Sequence, residues 1–310
     1  MSDEPGVVEN VALLDLSTMK SADELGRIKS IRNVANVVVP ESLAGVLAGI
    51  PMQNVANVVP VPDGARVNAH VGALTMDGAA LAATSDTPTV LLLTGALVIT
   101  SPVERVGIHS ILTVGAVVAP EGSEAALTPA LRRTVGRVAY YPWVDGQSVR
   151  VFQGDTRVKG DVLANPGGAP DDIAIVAGTL LVTTPVPRVG FRRIVVVGSL
   201  VAPEESELLL SPALLLVGDA VWYTAPPRLF SGADRFTAGF FELLDEPVTL
   251  VLNGAFKFEP DVPAQLVKER VAAIALNGAI KASRDLVPLL QLLTVQKQGV
   301  IGYLDADEGE

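Results

Sequence analysis

Chemistry in this chain has few parts to work with. It holds two histidines, His70 and His109, and no cysteine. His70 has no histidine four residues on and no thiolate to join, so a zinc site is not expected there. His109 aligns with Arg192 in a later copy of the same stretch, the behaviour of a solvent-facing position without fixed chemistry. Ser101, Ser110 and Ser211 lie outside any nucleophile-elbow pattern. Neither G-x-x-x-x-G-K-[ST] nor G-x-G-x-x-G occurs. Asn165-Pro166-Gly167-Gly168 is glycine-rich, but Asp171 and Asp172 follow it and would repel a phosphate, so it reads as a turn. Asp305 and Asp307 alternate like calcium ligands, yet no loop glycine and closing Glu follow at the right distance; they read as a solvated acidic tail.

Two constellations recur in register. The carboxylate pairs Glu121/Glu124 and Glu204/Glu207 suit an acid/base pair or, more simply, helix N-termini favoured by the backbone dipole. The aromatic clusters Tyr140, Tyr141, Trp143 and Trp222, Tyr223 suit either a ligand-stacking surface or the covered edge of a core. No residue is nominated as catalytic, cofactor-binding or metal-ligating. The chain is expected to be no enzyme and to need no cofactor.

The elements that would position these groups are set by composition and repetition. The 310 residues carry a net charge of −11, with a pI near 4.7. Such an acidic chain is a poor partner for nucleic acid, whose binding depends on clustered Lys and Arg. The N-terminus, MSDEPGVVEN, lacks the basic and apolar regions of a signal peptide, so a cytoplasmic location is expected. The longest uncharged run, Thr87 to Val103, is interrupted by Pro88, Gly95 and Pro102. A membrane span needs about 20 continuous apolar residues, so none is expected.

The segment Gly95 to Leu131 returns without a gap about 83 residues later as Gly178 to Leu214, the self-similarity of stacked structural repeats. Each copy holds two strands, GALVIT and ILTVGAVVAP in the first. Both parities of ILTVGAVV are apolar or small, as in parallel strands buried on both faces. Gly115 and Gly198, at the strand centres, are expected at equivalent places where backbones approach closely. Pro129 and Pro212 are expected in the first turn of short helices. Ser21 and Glu24 have capping-box spacing. VVVPESLAGVLAGI reads as a strand ended by Pro40, then a helix over Leu43, Val46, Leu47 and Ile50. The stretch from Asp145 to Asp172 reads as polar strands and a loop, the favoured insertion point or hinge, and a matching loop is expected around Ser231 to Ala238. PDVPAQLVKERV, between two Leu-Asn-Gly-Ala elements, reads as a helix.

These readings assemble into a repeat solenoid: a parallel β-sheet stack with short helical or irregular returns, an α/β solenoid, with a β-helix as the alternative. Residues 1–27 form an acidic N-terminal segment and cap, 28–303 the solenoid with its internal repeat 95–131/178–214, and 304–310 an acidic tail.

The stretches LNGAIKASRDLVPLLQ and VANVVVPESLAGVLAG resemble uncharacterised bacterial strand/helix repeat proteins. They are loosely similar to leucine-rich repeats, with Val271, Ile274 and Leu276 in place but Asn277 too early, and to the β-helical bactofilins. The resemblance brings no catalytic residue with it. The expected role is a self-associating structural scaffold that meets protein partners, or its own copies, through the solenoid ends. The alternative is a recognition module that binds a peptide or polysaccharide along the repeat face, for which exposed aromatics would line one sheet face.

Overall fold

Apolar runs of both parities become strands buried on two faces in the computed structural model, which describes residues 6–131 and 133–304, with backbone alone at Arg133 and Thr134. Two compact units result, 1–143 and 144–310, so a boundary falls inside the span 28–303 that was expected to be continuous.

In the first unit, β1 (Val7–Asp15), β2 (Ser30–Pro40) and β3 (Met52–Val61) form one sheet in that order. A second sheet contains β4 (Arg66–Met76), β5 (Thr89–Ile99), β6 (Ser110–Pro120) and β7 (Arg133–Tyr141). In the second unit, β8 (Val149–Val158) and β9 (Ile173–Val182) are followed by two interrupted courses. The halves are β10 (Arg193–Val196) with β11 (Ser199–Pro203), and β12 (Leu214–Leu216) with β13 (Asp219–Tyr223). These strands make the third sheet. The fourth contains β14 (Pro227–Phe236), β15 (Val248–Phe258), β16 (Val271–Ala282) and β17 (Thr294–Tyr303). All described pairings are parallel. The sheet structure includes a half-barrel curl.

A row of glycines crosses the middle of three of the sheets. Gly72, Gly95, Gly115 and Gly136 stand in register in the second sheet, and Gly232, Gly254, Gly278 and Gly299 in the fourth. In the third, a Cβ on Gly198 would lie 2.0 Å from the Gly178 carbonyl oxygen, and one on Gly218 2.0 Å from that of Gly198. Gly115 and Gly198 therefore hold the same place in different sheets, although Gly198 lies at the break between β10 and β11. Positive φ at Gly115 (137°) and Gly254 (136°) bends the strand and aims the missing side chain at the neighbouring backbone.

The first sheet makes the same bend with asparagine. Asn10, Asn33 and Asn54 have φ of 58°, 52° and 55°, a conformation that Asn tolerates better than other side-chain-bearing residues. Their amides form a ladder: Asn33 Nδ2 donates to Asn10 Oδ1 at 3.0 Å, and Asn54 Nδ2 to Asn33 Oδ1 at 2.9 Å. Within the segment read as a cap, β1 thus pairs with β2 as a full member of the sheet.

Each sheet keeps its own core on its helical face. In the second sheet, Leu91, Leu93, Leu97 and Ile99 of β5 pack with Leu81 and Leu127 from the returns. The returns are often single helical turns, each inserting one completely buried side chain: Leu25, Leu81, Leu127, Leu210 and Phe241 are 0% exposed. Ser21 caps its helix, Oγ accepting from the Glu24 N–H, while the Glu24 carboxylate reaches the Lys20 N–H instead of closing the box on Ser21, and the expected helix in PDVPAQLVKERV spans Ala264–Arg270.

The opposite, outer faces pair sheet to sheet inside each unit. Val38, Val59 and Val61, beyond the asparagine bend, share a cluster with Val90, Leu92 and Leu112, which precede the glycine bend of the second sheet. In the second unit, Leu181, Val201 and Val221, beyond their bend, meet Leu229, Val251 and Ala275, which precede theirs. The rule is the same twice.

Two expectations are corrected. Residues 231–236 are strand, not loop: they continue β14 in register with Asn253–Phe258, and their polarity reflects contacts on the outer face of an edge strand. Pro129 follows the helix Glu124–Leu127 instead of opening one, because that helix ends after a single turn; Pro212 does lie in the first turn of a 3-10 segment.

Substituting Gly115 with Ala should cost about 3–5 kcal/mol, combining left-handed strain with the collision 2.0 Å from the Gly95 carbonyl oxygen. Gly64→Ala, at φ 72° but in open space, should cost only about 1 kcal/mol. Urea unfolding midpoints of the two variants should separate accordingly.

Candidate functional site

The sequence candidates scatter once the chain folds. His70 sits in β4, its Nε2 3.3 Å from the Ala73 carbonyl oxygen, while His109 is exposed just before β6, its N–H bonded to the Thr89 carbonyl. Ser101 Oγ accepts from the Gly78 N–H at 2.9 Å, Ser110 is the buried first residue of β6, and Ser211 opens a 3-10 turn. Glu124 and Glu207 begin one-turn helices, and Glu204 begins a 3-10 turn, the positions of the simpler reading. Asp305 and Asp307 lie outside the described residues. Among the described residues, no three His, Cys, Asp or Glu side chains gather as metal ligands.

Four of the five aromatic candidates, Tyr140, Tyr141, Trp222 and Tyr223, pack against cores, and Trp143 is half-buried. Tyr141 is fully buried and its hydroxyl donates to the Ile99 carbonyl at 2.8 Å. Tyr223 makes the same bond to Val182, also at 2.8 Å. Both lie on the last strand course of their sheets, paired with Pro120 and Pro203. Burial holds the Tyr141 hydroxyl far above its ordinary pKa and raises that of Tyr223, to which Glu205 also contributes. Tyr140 and Trp222 pack on the neighbouring cores. This is the capping arrangement.

Other polar residues prove structural although the sequence gives them no emphasis. Ser123 and Ser206 are buried, and their hydroxyls accept from the N–H groups of Val103 (3.1 Å) and Val186 (2.9 Å). They correspond in the two copies, which is the signal that marks them. The Asn165–Gly168 turn is tied down: Asn165 adopts φ 48° and donates through Nδ2 to Asp172 Oδ2 at 2.9 Å. Asp172, buried, also accepts from the N–H groups of Ser148 (3.0 Å) and Ala169 (2.9 Å). The Asn165 bond first, then that from Ser148, lower its pKa, with burial opposing them. The expected hinge is thus a pinned turn.

Between the third and fourth sheets a polar seam runs beside the apolar one. Asn253 Nδ2 donates to Asp155 Oδ1 (2.9 Å) and Thr179 Oγ1 (2.8 Å), Ser231 donates to Asp155, and Gln296 Nε2 donates to Asp219 Oδ2 (3.0 Å). Beyond the seam lies a groove of about 560 Å³ on the outer face of the fourth sheet. Its floor is the register row Ala233, Ala255, Ala279, and its rim is the row Arg235, Lys257, Lys281. Glu259 reaches Arg235 at 3.4 Å and Lys257 at 3.5 Å. Asp234 also lines the groove, so carboxylates of the chain itself already face this row.

No protein family matches the chain, and neither does any curated protein or solved structure. Among the described residues, no helix is long and apolar enough to cross a membrane.

Tyr141→Phe removes a buried bond and should lower stability by about 1 kcal/mol; a tyrosine kept for ligand stacking would leave the unfolding midpoint unchanged. Asp172→Asn tests the pinned turn. A carboxyl held below its unfolded pKa of about 3.9 contributes stability above that pH and loses it as pH falls through the folded value. The stability gap between wild type and Asp172→Asn should therefore be widest at neutral pH and narrow below about pH 4, read by thermal melts across a pH series.

Proposed function

We propose that this chain is a non-enzymatic structural scaffold, a solenoid-like repeat protein that associates with its own copies through strand edges. The observation that carries the reading is β17. It is an edge strand of a parallel sheet, and Val295, Val300 and Tyr303 on it are 62%, 65% and 57% exposed. An edge presents unpaired amides and carbonyls, a template for another strand unless charge or cover blocks it. Apolar side chains beside that template add burial at about 25 cal/mol per Å². Supporting it further, polar side chains elsewhere are consumed in holding strands and turns, as at Ser123, Ser206, Asn165 and Asn253. The repeated glycine register and similar return lengths favour a solenoid-like architecture over a one-off fold. The tyrosines at sheet ends, with both hydroxyls bonded internally, favour the scaffold over the peptide- or polysaccharide-binding module.

Sedimentation velocity across protein concentration and salt tests the reading. Acidic ends repel, and salt screens that repulsion within about 8 Å at physiological ionic strength, so association of the full chain should strengthen as salt rises and on removal of residues 305–310. The double variant Val295→Lys/Val300→Lys should abolish it. A chain that stays monomeric under every condition overturns the proposal.

A further inference from the structure

The fourth sheet ends in two unlike edges, and each has what the other lacks. Along its glycine row, a Cβ on Gly254 would lie 1.9 Å from the Gly232 carbonyl oxygen, one on Gly278 1.9 Å from that of Gly254, and one on Gly299 1.7 Å from that of Gly278. Each of these carbonyls is aimed at the following strand, into space that a side chain there would fill. Gly232 opens the row on β14, at φ 93°, and a Cβ on it would meet nothing within 4 Å. Gly299 closes the row on β17, so its carbonyl faces the open side of that strand. One edge presents a carbonyl and the other has room for one. The returns repeat the pattern. Leu243 and Leu292, each two residues beyond a fully buried plug (Phe241, Leu290), are 84% and 79% exposed. The middle return has the exposed Glu269 at that position, two residues beyond Val267. In the second sheet, the residues two beyond Leu81 and Leu127 are Ala83 and Pro129. Exposed leucines therefore mark the two ends of the fourth sheet, and a charge marks its middle.

We propose that β17 of one copy pairs in parallel with β14 of the next, head to tail, with Gly299 opposite Gly232. The inference rests on the edge association proposed above and names both strands of its joint. In this register Val300 lies beside Ala233 and Tyr303 beside Phe236, which extends rows already present within the sheet. Leu292 then comes beside Leu243 on the helical face. A two-fold joint of β17 with a second β17 that keeps both helical faces on one side is antiparallel, and it gives Gly232 and Leu243 no part. Before the bend β14 is partly engaged, because Arg157 Nη2 donates to the Leu229 carbonyl at 2.8 Å, so the joint centres on residues 232–236. Asp234 weakens it. This residue stands in the inner row of Phe256, Ile280 and Ile301, and a second copy's Ile301 would take water from its carboxylate at a cost. A joint between unlike edges leaves one edge of each kind open after every addition, so it builds chains longer than two.

Edge complementation, read by sedimentation equilibrium, tests the joint. One chain is blocked at β17 by Val295→Lys/Val300→Lys and another at β14 by Gly232→Ala/Leu243→Lys, each with the circular dichroism of the wild type. Each blocked chain alone should be monomeric. An equal mixture should form a dimer that grows no further, because each chain keeps one open edge, while the full chain should grow beyond dimers. Leu243→Lys alone, at an exposed site on a return, should weaken association about tenfold through the loss of one leucine contact. Asp234→Val should strengthen it. Unchanged association in Leu243→Lys overturns the inference, even where Gly232→Ala unfolds the chain. A β14-blocked chain that associates as tightly as the full chain also overturns it, and puts β17 on both sides of the joint with edge association intact. So does a mixture that stays monomeric while the full chain associates. A full chain that is monomeric at every concentration overturns this inference and edge association together.

Discussion

The close approach of backbones at the bend row is the constraint on which the rest depends. Where Gly115 passes Gly95, a single methyl group would collide with a carbonyl oxygen 2.0 Å away, so only glycine keeps the strands paired through the turn. The bend gives each strand two outer half-faces. One half can meet the other sheet of the same unit, as in both junctions here, and the inner face still wraps a core. Because the inner face curls, a return need not be a long helix. A single turn suffices to insert one apolar plug such as Leu127 or Phe241, both 0% exposed. The first sheet reaches the same geometry by a different route, trading glycine's freedom for an asparagine whose amide bonds to the next asparagine along.

Much of this was legible in residue order. Parallel strands buried on both faces follow from ILTVGAVV, in which neither parity is polar, and the structure pairs that strand in parallel on both sides. The central glycine and the Ser21/Glu24 cap were legible for the same reason, since each rests on a local steric or hydrogen-bonding need. Position within a sheet was not. Ser231 and Arg235 look like a loop because the outer side of this edge strand meets polar partners, Asp155 for Ser231 and Glu259 for Arg235. The strand β1 hides behind its acidic flank, although Asn10-Val11-Ala12 repeats Asn33-Val34-Ala35 and Asn54-Val55-Ala56.

The cation row shows why a candidate site is harder to read than a fold. Arg235, Lys257 and Lys281 stand more than twenty residues apart in sequence and look like scattered surface charge. Only parallel register, Arg235 against Lys257 and Lys257 against Lys281, brings them to one line at strand spacing. The pinned turn is a similar case. Asp172 looks like one of two acidic loop residues, yet Asn165 and two backbone N–H groups converge on it alone, a convergence that depends on the left-handed conformation of Asn165.

Charge and apolarity then divide the labour of the surface. At the third sheet, Leu181, Val201 and Val221 make the outer row beyond the bend sticky, and the fourth sheet covers it. At the fourth sheet the same row is cationic, so dehydrating it against another sheet is unfavourable. The edge strand β17 exposes Val295 and Val300 together with a single charge, Lys297. A face unfavourable to stacking beside an edge strand with exposed valines suits the addition of strands proposed above. The proposed association by strand pairing agrees with that distribution of charge.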